Sequence, residues 1–153
     1  MMADAREVGE DNAIKFMVEN KYFDGDFTLA KAGHHAGYYE ARRTRLDFRG
    51  TLRIHPSVDF GNFIFIVTTS HDIQGGRREL KADASDLVDR PVIVDEGAFI
   101  GSHALLYNCH IKHHGIVACG AVVRNMTIEP YTVVEGNPAK AVKKFVDGKW
   151  IKV

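Results

Sequence analysis

The chain has 153 residues, 45% apolar and 26% charged, which suits one globular domain, alone or with a small cap, and does not make disorder the default. Twenty basic residues balance twenty acidic ones, so no net field draws the chain to nucleic acid or an anionic membrane. Two cysteines, Cys109 and Cys119, are too few for a disulfide scaffold and are read as buried, reduced thiols. No apolar run approaches the roughly 20 residues of a membrane span. The opening MMADAREVGEDN has no apolar stretch like that of a signal peptide. A cytoplasmic protein is expected.

Residues 1–45 read as an N-terminal cap. Within them Ile14, Met17 and Val18 share one helical face behind the capping residues Asp11 and Asn12, which predicts a short helix. His34 and His35 carry no pattern, and Tyr38 and Tyr39 suit either a sugar ring or a packed cap. From Leu46 the pattern changes to a period of six. Phe48, Ile54, Phe60 and Ile66 form one column, and Leu46, Leu52, Val58 and Ile64 form another. After a break the period resumes with Val94, Ile100 and Leu106, takes one short step of five to Ile111, and continues through Val117 and Val123. Ala98, Ala104, Gly115 and Ala121 fill the offset column.

A period of six is neither helical nor simply alternating. It predicts an all-β solenoid, short parallel strands separated by corners, with stacked coils sharing continuous columns of side chains. One buried aliphatic per hexad contributes about 1.5–3 kcal/mol. Ordering the backbone costs roughly 1–2 kcal/mol per residue. Neighbouring coils and their ladders must therefore supply the rest. The break at 72–92, with its Gly-Gly pair, many charges and a proline, predicts a loop thrown out of the solenoid. The solenoid then runs over 46–145. The tail 146–153 holds Asp147-Gly148 between apolar flanks, the signal of a small hairpin.

Three stretches carry a resemblance to a known family: TTSHDI at 68–73, PVIVDEGAFIGSHALL at 91–106, and VACGAVVRNMTIEPYTVVEGNPAKAVKKF at 117–145. In this order and spacing the chain resembles the hexapeptide-repeat acyltransferases, nearest to the sugar O-acetyltransferases and the related antibiotic acetyltransferases. The resemblance implies a left-handed parallel β-helix of triangular section and a homotrimer with active sites between subunits. It implies acetyl-CoA as donor, no metal, and a small-molecule or glycan acceptor.

His71 closes the first run of hexads and matches the family's catalytic histidine. Imidazole titrates near neutral pH and suits removal of a hydroxyl proton. Asp72 is read as an orienting carboxylate or acceptor contact, or as a turn residue. By resemblance, Ser102, Ala118, Cys119 and Gly120 line the donor arm, and Arg124, Lys140 and Lys143 meet its phosphates. Phe99 stands where the sugar-acetylating branch has tryptophan, so it is placed at the acceptor.

The same solenoid can carry other chemistries. A γ-class carbonic anhydrase needs zinc histidines where this chain has Ser102 and Tyr107. His110, His113 and His114 lack a carboxylate or thiolate at convincing spacing, so a metal reading is not favoured. A non-catalytic solenoid and an amine acceptor stay open.

Overall fold

The computed structural model describes residues 27–28, 38–41, 44–47, 49–55, 57–73 and 86–153, and contains no helix among them. The helix expected near Ile14 lies outside the described residues. The described part of the cap is instead an antiparallel set of strands: β1 (Phe27–Thr28), β2 (Tyr38–Ala41) and β3 (Thr44–Asp47).

β3 opens the solenoid, which winds through four coils with three faces each. The first coil continues with β4 (Leu52–Ile54) and β5 (Asp59–Phe60). The second begins with β6 (Phe65–Val67), leaves the path through β7 (Thr69–His71) and β8 (Leu87–Asp89), and returns as β9 (Val92–Val94) and β10 (Phe99–Ile100). The third is β11 (Leu105–Ile111) and β12 (Ile116–Val117). The fourth is β13 (Val122–Ile128) and β14 (Thr132–Glu135).

Parallel pairing stacks these coils in strict register. On the first face Leu46, Ile66, Leu106 and Val123 are successive partners. On the second Ile54, Val94, Ile111 and Ile128 stack, and on the third Phe60, Ile100, Val117 and Val134. These side chains are 0–6% exposed, so the columns legible in the sequence are the core, except that Phe48 lies outside the described residues. Small residues at Ala98, Ala104 and Ala121 fill the offset positions, each at most 1% exposed. Leu106 is fully buried at mid-stack. Leu106→Ala should therefore cost about 2–5 kcal/mol in urea-unfolding measurements. A loss below about 1 kcal/mol would mean that the layers close over the gap.

Corners need a residue with positive φ. Between the first and second faces Asn108 (φ 46°) and Asn125 (φ 52°) turn the chain alone. Asparagine tolerates that conformation better than most residues. Each corner is so short that β11 and β13 run through it unbroken. This explains the five-residue step from Leu106 to Ile111, and a second from Val123 to Ile128 that the sequence reading did not extend to. The two amides meet across the coils, Asn108 Nδ2 donating to Asn125 Oδ1 at 2.8 Å. Between the third and first faces Phe63 (φ 59°) and His103 (φ 63°) take the same conformation, their rings stacked 4.8 Å apart.

The C-terminal hairpin is present. β15 (Lys140–Val146) pairs antiparallel with β14 and with β16 (Lys149–Lys152), around Asp147 and Gly148. The hairpin begins well before residue 146 and extends the third face. Of the loop expected over 72–92, residues 74–85 lie outside the described residues. Within it β8 pairs antiparallel with β7, which precedes the expected loop, and the two form a ribbon separate from the solenoid sheets.

Candidate active site

The ribbon leaves the solenoid at the corner between the first and second faces. His71 ends β7, opposite Leu87 on β8. Its Nδ1 lies 2.5 Å from Oδ2 of Asp86, whose side chain is 4% exposed while that of His71 is 28% exposed. A buried carboxylate on Nδ1 keeps the proton on that nitrogen and leaves the lone pair on Nε2. The ring is thereby fixed in both tautomer and direction.

The carboxylate found against the His71 ring is that of Asp86. Asp72 is exposed, and its backbone N–H donates to the Asp86 carbonyl at 2.8 Å. That bond closes the ribbon end and brings the Asp86 side chain to the ring.

Ser102, Ala118, Cys119 and Gly120 meet at another place, the corner between the third and first faces. The Gly120 N–H donates to the Ser102 carbonyl at 2.8 Å, and Ser102 Oγ accepts from the Asn62 N–H at 3.0 Å. Gly120 has φ 72°, and a Cβ there would touch nothing, so its outer side is open. Lys140 follows this corner, since the Ala139 N–H donates to the Val122 carbonyl at 2.9 Å. Lys143 lies further along β15 opposite Val133, and both lysines are exposed. Arg124 is at the far end of the first face beside Asn125, on the His71 side. Phe99 points outward from the third face, 38% exposed, between Asp59 and Ile116. Tyr107 lies on the first face between Val67 and Arg124.

Within one chain, then, His71 and the Ser102–Gly120 corner are not brought together. They occupy opposite ends of the first face.

Two expectations change at the cysteines and histidines. Cys109 is buried, and burial pushes its thiol up to about 12, but Cys119 is exposed. His110 does have a carboxylate partner, Asp95 Oδ2 at 2.8 Å from Nε2. Asp95 reaches it from the coil beneath, which spacing along the chain does not reveal. Among the described residues no three or more histidine, cysteine or acidic side chains are grouped to hold a metal ion. Also unforeseen is a groove above the ribbon's return, lined by Pro91, Ile93, Asn108, His110, Asn125 and Thr127.

The parallel solenoid is similar to solved structures of hexapeptide-repeat acetyltransferases. No family model matches the chain, and no curated protein matches it. Solved structures do. A hexapeptide-repeat-containing acetyltransferase from Vibrio cholerae is similar at 26% identity and TM-score 0.52, over 60% of this chain and 49% of that one. The same enzyme has been solved in complex with acetyl coenzyme A, at 26% identity and TM-score 0.51, over 60% and 48% of the two chains. A maltose O-acetyltransferase from Clostridium difficile 630 is similar at 25% identity and TM-score 0.54, over 63% and 49%. The chain aligns with about half the length of each.

Proposed function

We propose that the protein is a CoA-dependent acyltransferase that moves an acetyl group to a hydroxyl of a sugar or related small acceptor, with His71 as general base. The observation that carries this reading is His71 held by buried Asp86 at the root of a hexapeptide solenoid. In the proposed reaction His71 Nε2 takes the proton of the acceptor hydroxyl as its oxygen attacks the thioester carbonyl. The C–S bond breaks, and the imidazolium returns the proton to the departing thiolate. Asp86 accepts the Nδ1–H throughout and stabilises the transient imidazolium.

The donor is assigned to the corner of Ser102, Ala118, Cys119 and Gly120, with Lys140, Lys143 and Arg124 toward its phosphates. Phe99 is assigned to the acceptor. Because that corner and His71 stand at opposite ends of the first face, the reading puts His71 of one copy against the corner of the next. A left-handed winding, a homotrimer with sites between subunits and a cytoplasmic location belong to the same proposal.

The direct test measures thiol release from acetyl-CoA against a panel of sugars and hydroxylated antibiotics. Acceptor-dependent release supports the reading, and none with any hydroxyl compound counts against it. The donor corner has its own test in Cys119. Iodoacetamide should alkylate Cys119 and spare Cys109, whose buried thiol ionises only near pH 12. Acetyl-CoA at ten times its dissociation constant should slow that alkylation by roughly tenfold. An unchanged rate would place the donor elsewhere.

A further inference from the structure

Of the six buried polar residues among those described, five (Asp47, Thr51, Thr68, Thr69 and Asp86) gather where the ribbon leaves the solenoid. Buried polar groups are costly unless they are paired, so such a concentration in a solenoid core calls for a reason. Asp47 is fully buried at the end of β3, one coil beneath the ribbon. Its Oδ2 accepts from the Thr68 N–H and from Thr69 Oγ1, each at 3.1 Å. Its Oδ1 accepts from Arg49 Nε at 2.8 Å. Burial alone pushes the Asp47 carboxyl up, but the Arg49 guanidinium and the N–H donors outweigh this and hold it below the ordinary 3.8.

The returning strand is fastened to the same turn. Asp89 Oδ1 accepts from the Thr51 N–H at 2.7 Å, and Oδ2 from Thr51 Oγ1 at 2.6 Å. Gly50 lies between the two feet of the ribbon. Its N–H donates to Thr68 Oγ1 at 2.9 Å. A Cβ on Gly50 would lie 2.1 Å from the Thr68 carbonyl oxygen and 2.7 Å from Asp89 Oδ1, so only glycine lets the feet close this far. Across the ribbon the Arg90 N–H donates to the Thr68 carbonyl at 2.6 Å, and Arg90 Nε to Ser70 Oγ at 2.9 Å.

We infer that Asp47 is a positioning residue for His71: through Thr68 and Thr69 it fixes the foot of β7, and so the direction in which the imidazole meets Asp86. The inference deepens the proposed reaction and rests on it for its functional meaning. Thr69 is two residues from His71 on one short strand, so both side chains leave the strand on the same side. A rotation at the foot is therefore carried directly to the ring. Asp47 acts on the imidazole through Thr68 and Thr69.

The test reads the His71 ring itself. Imidazole ¹⁵N resonances are recorded at fixed pH for the full chain, with His71 assigned by its loss in His71→Gln. The wild type should show one protonated Nδ1 and one unprotonated Nε2. In Asp47→Asn and Thr69→Val the two resonances should move toward each other as the tautomer is released. Thr69→Ser, which keeps the hydroxyl, should hold the wild-type positions. Wild-type shifts in both Asp47→Asn and Thr69→Val overturn the inference, as does an equal change in Thr69→Ser. Should Asp47→Asn not fold, the two Thr69 variants decide alone. Because turnover is not the readout, undiminished acetyl transfer by His71→Ala would sink the base assignment without altering this result.

Discussion

Replacing His71 with alanine should lower kcat for acetyl transfer by about 10²–10⁴-fold, the usual worth of a positioned general base. The fold should be untouched, because the His71 side chain is 28% exposed and lies on the ribbon, outside the stacked columns. The dissociation constant for acetyl-CoA should also hold, since the proposed reaction assigns donor binding to Ser102, Ala118, Cys119 and Gly120 of the neighbouring copy and gives the imidazole only the proton transfer. Calorimetric titration with CoA, circular dichroism and thiol release separate the three quantities. Turnover within threefold of wild type would remove His71 from the chemistry. Loss of CoA binding together with turnover would mean that the ribbon shapes the donor groove instead.

Asp86→Asn should cost about 10²–10³-fold in kcat, although it changes no carbon or ring position. The carboxylate can only accept from His71 Nδ1, and so it permits one tautomer. An asparagine offers an N–H₂ as readily as a carbonyl. When the amide donates to Nδ1 the ring proton sits on Nε2, and the base is lost. The imidazolium formed during transfer also loses its partner charge at 2.5 Å. The expected signature is a fall in kcat with the acetyl-CoA KM unchanged. Asp72→Asn provides the contrast: Asp72 is exposed, its ring-facing role falls to Asp86, and turnover should stay near wild type. A larger loss in Asp72→Asn than in Asp86→Asn would reverse the two assignments.

The solenoid was readable because its physical cause is a period. The described aliphatics of the six-residue columns from Leu46 to Val123 are core residues, but the ribbon departs with Thr69, before the break expected from 72. What stayed hidden depends on contacts between coils or across the ribbon. Asp86 stands 15 residues from His71 and reaches it only through antiparallel pairing. Asp72, next along the chain, suits an orienting carboxylate or a turn residue equally by sequence, but consecutive residues in an extended chain point to opposite sides. Asp95 meets His110 from the coil beneath, again 15 residues away. Cys119 is exposed because it lies at a corner, where side chains leave the stack, whereas Cys109 lies on an inward position of β11. Asp47 carried the least signal of all: one acidic residue beside Leu46, with partners some 20 positions further on.

The register across the departure point has a consequence for how such a protein can change. Ile66 still stacks on Leu106, and Ile54 on Val94, as though nothing had been inserted between them. The ribbon occupies a corner that the later coils turn with one asparagine each. Lengthening a loop whose ends are already fixed costs little, about 0.6 kcal/mol per doubling. The stretch between His71 and Asp86 is therefore free to vary in length while the columns and the polar contacts at the ribbon's feet stay intact. In evolutionary terms the chain is modular at this point: under the proposed reaction, new acceptor preferences could be tried on the ribbon while the coils keep the assigned donor corner.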